Sequence, residues 1–143
     1  MDAAVWLRDV ATREGLPDRI VYGLELCLEE LVTNIVRHGG PTTWDGDGDL
    51  TAPDLDALQI RVSLLIAPNN VDLVVEDNGR PFDVSRASGR PLSGQLEDVV
   101  PGGLGVQLIR SFSDGLTYEP LSGGNRAIVK FLRQAEGASK AAV

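Results

Sequence analysis

DRIVYGLELCLEELVTNIVRH, residues 18–38, is the stretch on which the architecture turns. Val21, Leu24, Leu28, Leu31 and Ile35 recur in it at spacings of three and four, the period of one helical face. Asp18 is placed as an N-cap, and Gly39-Gly40-Pro41 ends the helix after His38. A helix this long with one apolar stripe needs a second layer against which to bury it, and the downstream sequence supplies one. Residues 58–66 (LQIRVSLLI) and 71–76 (VDLVVE) are rich in β-branched residues and form a hairpin around Pro68-Asn69-Asn70. A second hairpin runs through 115–119 (GLTYE), a Gly123-Gly124-Asn125 turn and 127–132 (AIVKFL). Residues 2–14, with Val5, Leu7 and Val10 among charges, read as a short amphipathic helix broken by Gly15 and Pro17. Residues 104–113 (LGVQLIRSFS) read as a further helix with a glycine-rich start. Helices beside a sheet of hairpins predict a two-layer α/β sandwich of the α+β class.

Two segments interrupt this order. Residues 41–57 (PTTWDGDGDLTAPDLDA) are polar, acidic and rich in Gly and Pro, and read as a surface loop whose length suggests a functional or family-specific insertion. Residues 83–102 are rich in Gly, Pro and Ser and read as a mobile loop. Residues 1–133 are expected to form one domain and 134–143 a flexible tail.

The bulk chemistry narrows the partners. The net charge of −8 over 143 residues argues against nucleic acid or an anionic membrane as the main partner. A nucleotide remains compatible, because a local nest of backbone N–H groups binds phosphate whatever the global charge. Cys27 is the only cysteine, which excludes an internal disulfide and a cysteine-based metal site. The N-terminus carries charges from Asp2 onward and has no signal-peptide h-region. No apolar run approaches the roughly 18 residues of a membrane span, so the cytoplasm is the expected compartment.

Three local patterns carry chemistry, and each also has a plain structural reading. Glu30 and Asn34 lie four apart on one helical face, which is either a solvated polar face or a carboxylate and an amide oxygen set around a hard cation and a reacting oxygen. Glu25 and Glu29 lie elsewhere on the helix and are expected in solvent. Asp77-Asn78-Gly79 ends a strand: it is either an ordinary turn, or a carboxylate placed to accept from a purine amino group with Gly79 allowing close backbone approach. Gly102-Gly103-Leu104-Gly105 opens a helix, either as a hinge or as a phosphate cradle of exposed N–H groups at a favourable dipole end. It lacks the Gly-Lys-Ser/Thr of a Walker A loop, and no G-x-G-x-x-G follows a strand in a βαβ unit.

Taken in order, the three patterns resemble the N, G1 and G2 boxes of the GHKL, or Bergerat-fold, ATPases. The chain is most similar to the branch of anti-sigma-factor serine kinases of bacterial stress and sporulation control. EELVTNIVRHG (29–39), DNGRPFD (77–83), PGGLGVQLIRSFSDGLTYE (101–119) and GGNRAIVKF (123–131) carry the resemblance, which spans about residues 5–132. It implies a Bergerat-type ATP-binding fold, with helices on one face of a mixed, mostly antiparallel sheet. It implies ATP and Mg²⁺ as cofactors, Glu30 as general base, Asn34 as the Mg²⁺ ligand and Asp77 as the reader of the adenine amino group beside Gly79. Arg37, His38, Pro81 and Phe82 fall within the matching nucleotide-site motifs. Backbone groups of Gly102, Gly103, Leu104, Gly105 and Val106 would hold the phosphates, and 83–102 would be the ATP lid. His38 would order the helix end or contact phosphate. The implied reaction is phosphoryl transfer to a serine of a STAS-domain anti-anti-sigma protein, with a sigma factor as second partner and a homodimer as the assembly.

The chain departs from the branch in three places. The usual first strand is short or missing, since Met1 leads almost directly into a helix. The 41–57 loop is longer than usual and holds Asp45, Asp47, Asp49, Asp54 and Asp56, without the downstream bidentate Glu of a Ca²⁺ loop. The final strand carries Asn125-Arg126 where some relatives place a Thr near the adenine. Two other readings are an ATP-dependent module that sequesters a partner without catalysis, and the detached ATPase domain of a two-component histidine kinase. The second is disfavoured because no dimerisation helix with a phospho-accepting His precedes the domain.

Overall fold

A computed structural model of the chain describes residues 2–38, 55–86 and 103–133. Helix α1 (Ala3–Arg13) starts immediately after Asp2, whose Oδ1 accepts from the Ala4 N–H at 2.9 Å and caps the first turn. No strand precedes it among the described residues. Its end is a Schellman motif: Leu16 N–H donates to Ala11 O at 3.0 Å and Gly15 N–H to Thr12 O at 3.1 Å, with Gly15 at φ 63°. The buried residues are Leu7, Ala11 and Leu16, whereas Val5, expected on the apolar face, is 56% exposed.

Helix α2 (Asp18–His38) has the expected bounds, but the Pro17 carbonyl accepts from Ile20 and Val21 N–H at 2.9 and 3.0 Å. Pro17 therefore occupies the cap position, and Asp18 is the first helical residue, where its charge complements the dipole. The buried line is Ile20, Leu24, Cys27, Leu31 and Asn34, with Leu28 beside it. Val21 and Ile35 flank it, half-buried. A polar side chain thus sits where the periodicity calls for an apolar one.

Strands β1 (Ile60–Ile66), β2 (Asn70–Asp77), β3 (Gly115–Leu121) and β4 (Gly124–Leu132) form one sheet in the order β1-β2-β4-β3. Every pairing among the described residues is antiparallel, in keeping with the mostly antiparallel sheet expected. The central β2–β4 pairing joins the two hairpins. Val71, Leu73 and Val75 of β2 and Ala127, Val129 and Phe131 of β4 share a core with Leu24, Leu28 and Leu31 of α2 and with Val106 and Ile109 of α3 (Gly103–Phe112). The helices therefore cover one face of the sheet, the two-layer arrangement expected. On the other face Arg126 bridges Glu76 at 2.8 Å and Glu119 at 3.0 Å.

The second hairpin turns at Ser122-Gly123, with Gly123 at φ 98°, rather than at Gly123-Gly124-Asn125. β4 consequently begins three residues earlier than the sequence pattern suggested, and Asn125 enters the sheet in register with Asp77. Of the two long loops, the structure describes only the flanks. Leu55–Ala57 is a 3-10 turn tied to the end of β2, because Asn78 Nδ2 donates to Ala57 O at 2.9 Å and Asn78 Oδ1 accepts from Gln59 N–H at 2.8 Å. Val84–Arg86 is a second 3-10 turn, in which Asp83 Oδ1 accepts from Ser85 N–H at 2.9 Å. Arg110 of α3 donates to Ser85 O. The remainder of the 41–57 loop, most of the 83–102 lid and the 134–143 tail lie outside the described residues.

Candidate functional site

A small cleft lies between α2 and the end of the sheet where β2 finishes and β4 begins. Leu31, Asn34, Ile35 and His38 line it from α2, Val75 and Asp77 from β2, and Tyr118, Asn125 and Ala127 from β3 and β4. Arg80, Phe82 and Val84 close it from the segment after β2. The walls are mainly apolar with a few convergent polar groups, the usual composition of a small-molecule site.

The Asp77 corner is held by backbone and side-chain donors. Asp77 Oδ1 accepts from Gly79 N–H at 2.8 Å and from Asn125 Nδ2 at 3.0 Å. Gly79 does this without a positive φ, so the turn does not use the conformational freedom that the Asp-Asn-Gly pattern suggested. Asn125, 7% exposed, also donates to Arg80 O at 2.7 Å, and its Oδ1 accepts from Phe82 N–H at 2.9 Å and Tyr118 O–H at 2.6 Å. Burial raises the Tyr118 hydroxyl above the ordinary tyrosine range, with Asp83 adding to the effect, so it remains a donor. Pro81 is exposed between these anchored neighbours.

The far wall is the end of α2. His38 stacks on Phe82 with ring centroids 4.1 Å apart and planes 9° from parallel, while Arg80 donates to the His38 carbonyl at 2.7 Å. This satisfies one of the carbonyls that a helix end leaves open. Arg37 is exposed and outside the cavity wall. Burial holds the His38 imidazole below the ordinary histidine pKa, with Arg37 and then Arg80 adding repulsion. The unfolded chain titrates near the ordinary value of about 6.5, and the folded chain takes the proton only at lower pH. Below that value the unfolded state binds more protons, so folding stability falls as the pH falls. His38 is the only histidine of the chain. Urea melts at pH 7.5 and at pH 5.8 are expected to show a loss of stability that is smaller in His38→Phe, which keeps the stacked ring.

Glu30 and the glycine-rich start of α3 meet where α2 packs on α3. Glu30 is half-buried, and its carboxylate packs on Gly105 so closely that a Cβ there would collide with Oε2. Helix α3 opens at Gly103, one residue earlier than expected, so the first-turn N–H groups of Gly103, Leu104 and Gly105 have no intrahelical acceptor. The Val106 side chain is fully buried in the core, and Gly102 lies outside the described residues. Asn34 is 3% exposed, and its Nδ2 has no hydrogen-bond partner among the described residues. Turning that amide over would place its oxygen at the same orphaned position. No cluster of three or more His, Cys, Asp or Glu side chains able to hold a metal exists among the described residues. A single amide ligand suits Mg²⁺, which keeps waters and substrate oxygens in its shell. Glu29 is exposed as expected, but Glu25 is not merely solvated: it pairs with Arg8 at 2.6 Å.

An antiparallel sheet backed by helices, a strand-end carboxylate in the cleft and a glycine-opened helix packed against Glu30 of α2 are the arrangement of a Bergerat-type nucleotide-binding domain. The chain belongs to the histidine kinase-like ATPase domain family, whose model matches residues 2–131. It is 34% identical over 124 residues to the serine/threonine-protein kinase BtrW of Bordetella bronchiseptica, covering 87% of this chain and 79% of that one. It is 27% identical over 131 residues to the serine-protein kinase RsbW of Halalkalibacterium halodurans (89% and 72% covered) and 24% identical over 132 residues to RsbW of Bacillus pumilus (90% and 75%).

The residue that sequence reasoning underused is Asn125. Its partners lie up to 48 positions away, so only the β2–β4 register brings its role into view.

Proposed function

We propose that this chain transfers the γ-phosphoryl group of ATP to a serine of a STAS-domain anti-anti-sigma protein, with Glu30 as general base, and that it exchanges that protein for a sigma factor. The chain is an ATP-dependent serine kinase, as its family and its kinase relatives indicate. The observation that carries the assignment of roles is the meeting of Glu30 with the glycine-opened start of α3, one helical turn from the orphaned amide of Asn34. In this reading the adenine end of ATP lies at Asp77 and the phosphates at Gly103–Gly105. Glu30 accepts the serine proton as the hydroxyl oxygen attacks the γ-phosphorus and the bond to the β–γ bridging oxygen breaks. Asn34 would hold Mg²⁺, which neutralises charge on the phosphate oxygens. His38 and Phe82 line the base end, and Arg37 and Pro81 lie exposed beside it. The acidic net charge and the absence of a helix able to cross a membrane in the described residues agree with a cytoplasmic role among protein partners, a second copy of the chain included.

The test is phosphate transfer from ATP to STAS proteins encoded by the same genome, read by intact-mass spectrometry. A gain of one phosphate on a serine of one such protein is the expected result. ATP binding without transfer to any of them overturns the acceptor assignment and reduces the chain to a partner-binding module.

A further inference from the structure

We infer that Asn125 is a positioning residue for base selectivity, acting through Asp77 rather than by contact with the nucleotide. The inference rests on the ATP reading above and names the group that sets its base preference. All four hydrogen-bonding positions of the Asn125 carboxamide are taken by protein: Nδ2 serves Asp77 Oδ1 and Arg80 O, and Oδ1 serves Phe82 N–H and Tyr118 O–H. Two of these partners are backbone groups that cannot change roles, since Phe82 N–H only donates and Arg80 C=O only accepts. They dictate which way the amide faces. Nδ2 is therefore obliged to donate to Asp77, and Asp77 Oδ1 is obliged to accept.

A consequence follows for the carboxylate. Gly79 N–H donates to the same Oδ1, so both of its lone pairs are in use. A ligand donor must go to Oδ2, and what Oδ2 offers is an acceptor. A 6-amino purine presents a donor there, whereas a 6-oxo purine presents an oxygen and meets the carboxylate with no proton between them. A site built to hydrogen-bond a substrate N–H rejects the analogue that lacks it more strongly than an apolar pocket does. Removing the Asn125 donor frees the carboxylate to rotate and leaves Phe82 N–H and Arg80 O without their partner. A Thr at this position offers one hydroxyl for groups that now receive four bonds.

Inosine triphosphate replaces the 6-amino donor of ATP by an oxo acceptor, with a proton on N1, and is the probe. Calorimetric titration of the wild-type chain, Asn125→Ala and Asn125→Thr with each nucleotide, alongside thermal unfolding of each protein, tests the inference; Thr suits a strand and guards against a folding failure of the Ala variant. The wild type is expected to prefer ATP by roughly tenfold or more, the worth of one hydrogen bond to a charged group. In both variants ATP affinity is expected to fall on the order of tenfold with inosine triphosphate affinity within about threefold of wild type, so that the preference collapses. Folded variants that keep the wild-type preference, or that lose both nucleotides equally, overturn the inference and leave Asn125 a structural residue. A wild type that binds ATP without preference overturns it alone, whereas a wild type that binds no ATP overturns the ATP reading beneath it.

Discussion

Glu30→Gln is expected to slow phosphoryl transfer by about 10²- to 10⁴-fold, the usual contribution of a positioned general base, while ATP affinity stays within about threefold. Gln has nearly the same volume and can still pack on Gly105, so the change removes proton acceptance and little else. The carboxylate sits at the opening turn of α3, where the helix dipole favours negative charge, and its neutral replacement forgoes a stabilisation of roughly 0.3–1 kcal/mol. That loss is too small to explain a rate effect of the expected size through unfolding. Single-turnover transfer to the acceptor protein, with ATP binding measured on the same samples, separates the two. A transfer rate within tenfold of wild type would remove Glu30 from the role of base.

The second large effect is expected from Gly124→Ala. A Cβ on Gly124 would overlap the Asp77 carbonyl oxygen and lie 3.0 Å from its carbon and 3.2 Å from Asn78 Cα. These are backbone atoms at the register position Asp77↔Asn125, so neither strand can yield without breaking the pairing. Overpacking against backbone is expected to cost about 3 kcal/mol or more, a large part of the stability of a domain this size, and to abolish ATP binding by moving the Asp77 corner. Gly123→Ala supplies the contrast. Its φ of 98° strains an Ala, but no atom lies within 4 Å of the added carbon. A cost of about 1 kcal/mol with ATP binding retained is expected there. Urea midpoints and nucleotide titration of the two variants check the pair of expectations. Equal behaviour would mean that turn strain, rather than the approach of β4 to Asp77, governs this corner.

The elements were legible in the sequence where local periodicity decides them. The bounds of α2 and the existence of both hairpins follow from spacing and β-branched content, and the apolar stripe correctly placed α2 on the sheet. Asn34 stood out in the sequence by its spacing from Glu30, but its burial did not, because the stripe read there ran Val21, Leu24, Leu28, Leu31 and Ile35 whereas the buried line is Ile20, Leu24, Cys27, Leu31 and Asn34. What escaped depends on pairing between distant segments. Gly123-Gly124-Asn125 has the local composition of a turn, and only pairing with β2 draws Gly124 and Asn125 into a strand. Asp18 has the chemistry of a cap, but the carbonyl that closes the first turn belongs to Pro17. The strand order β1-β2-β4-β3, which joins the two hairpins through β2 and β4, is likewise not fixed by spacing along the chain.

Cys27 sits on the buried line of α2, one turn before Glu30. Burial, with a smaller contribution from the charge of Glu30, pushes its thiol up to about 12, far from the reactive thiolate form at neutral pH. Disulfide-exchange reagents must therefore wait for the α2–sheet interface to part. The single native thiol is a clock for that opening, and its labelling rate, with and without nucleotide, reads how tightly a ligand at the surface of the cleft holds the interior closed.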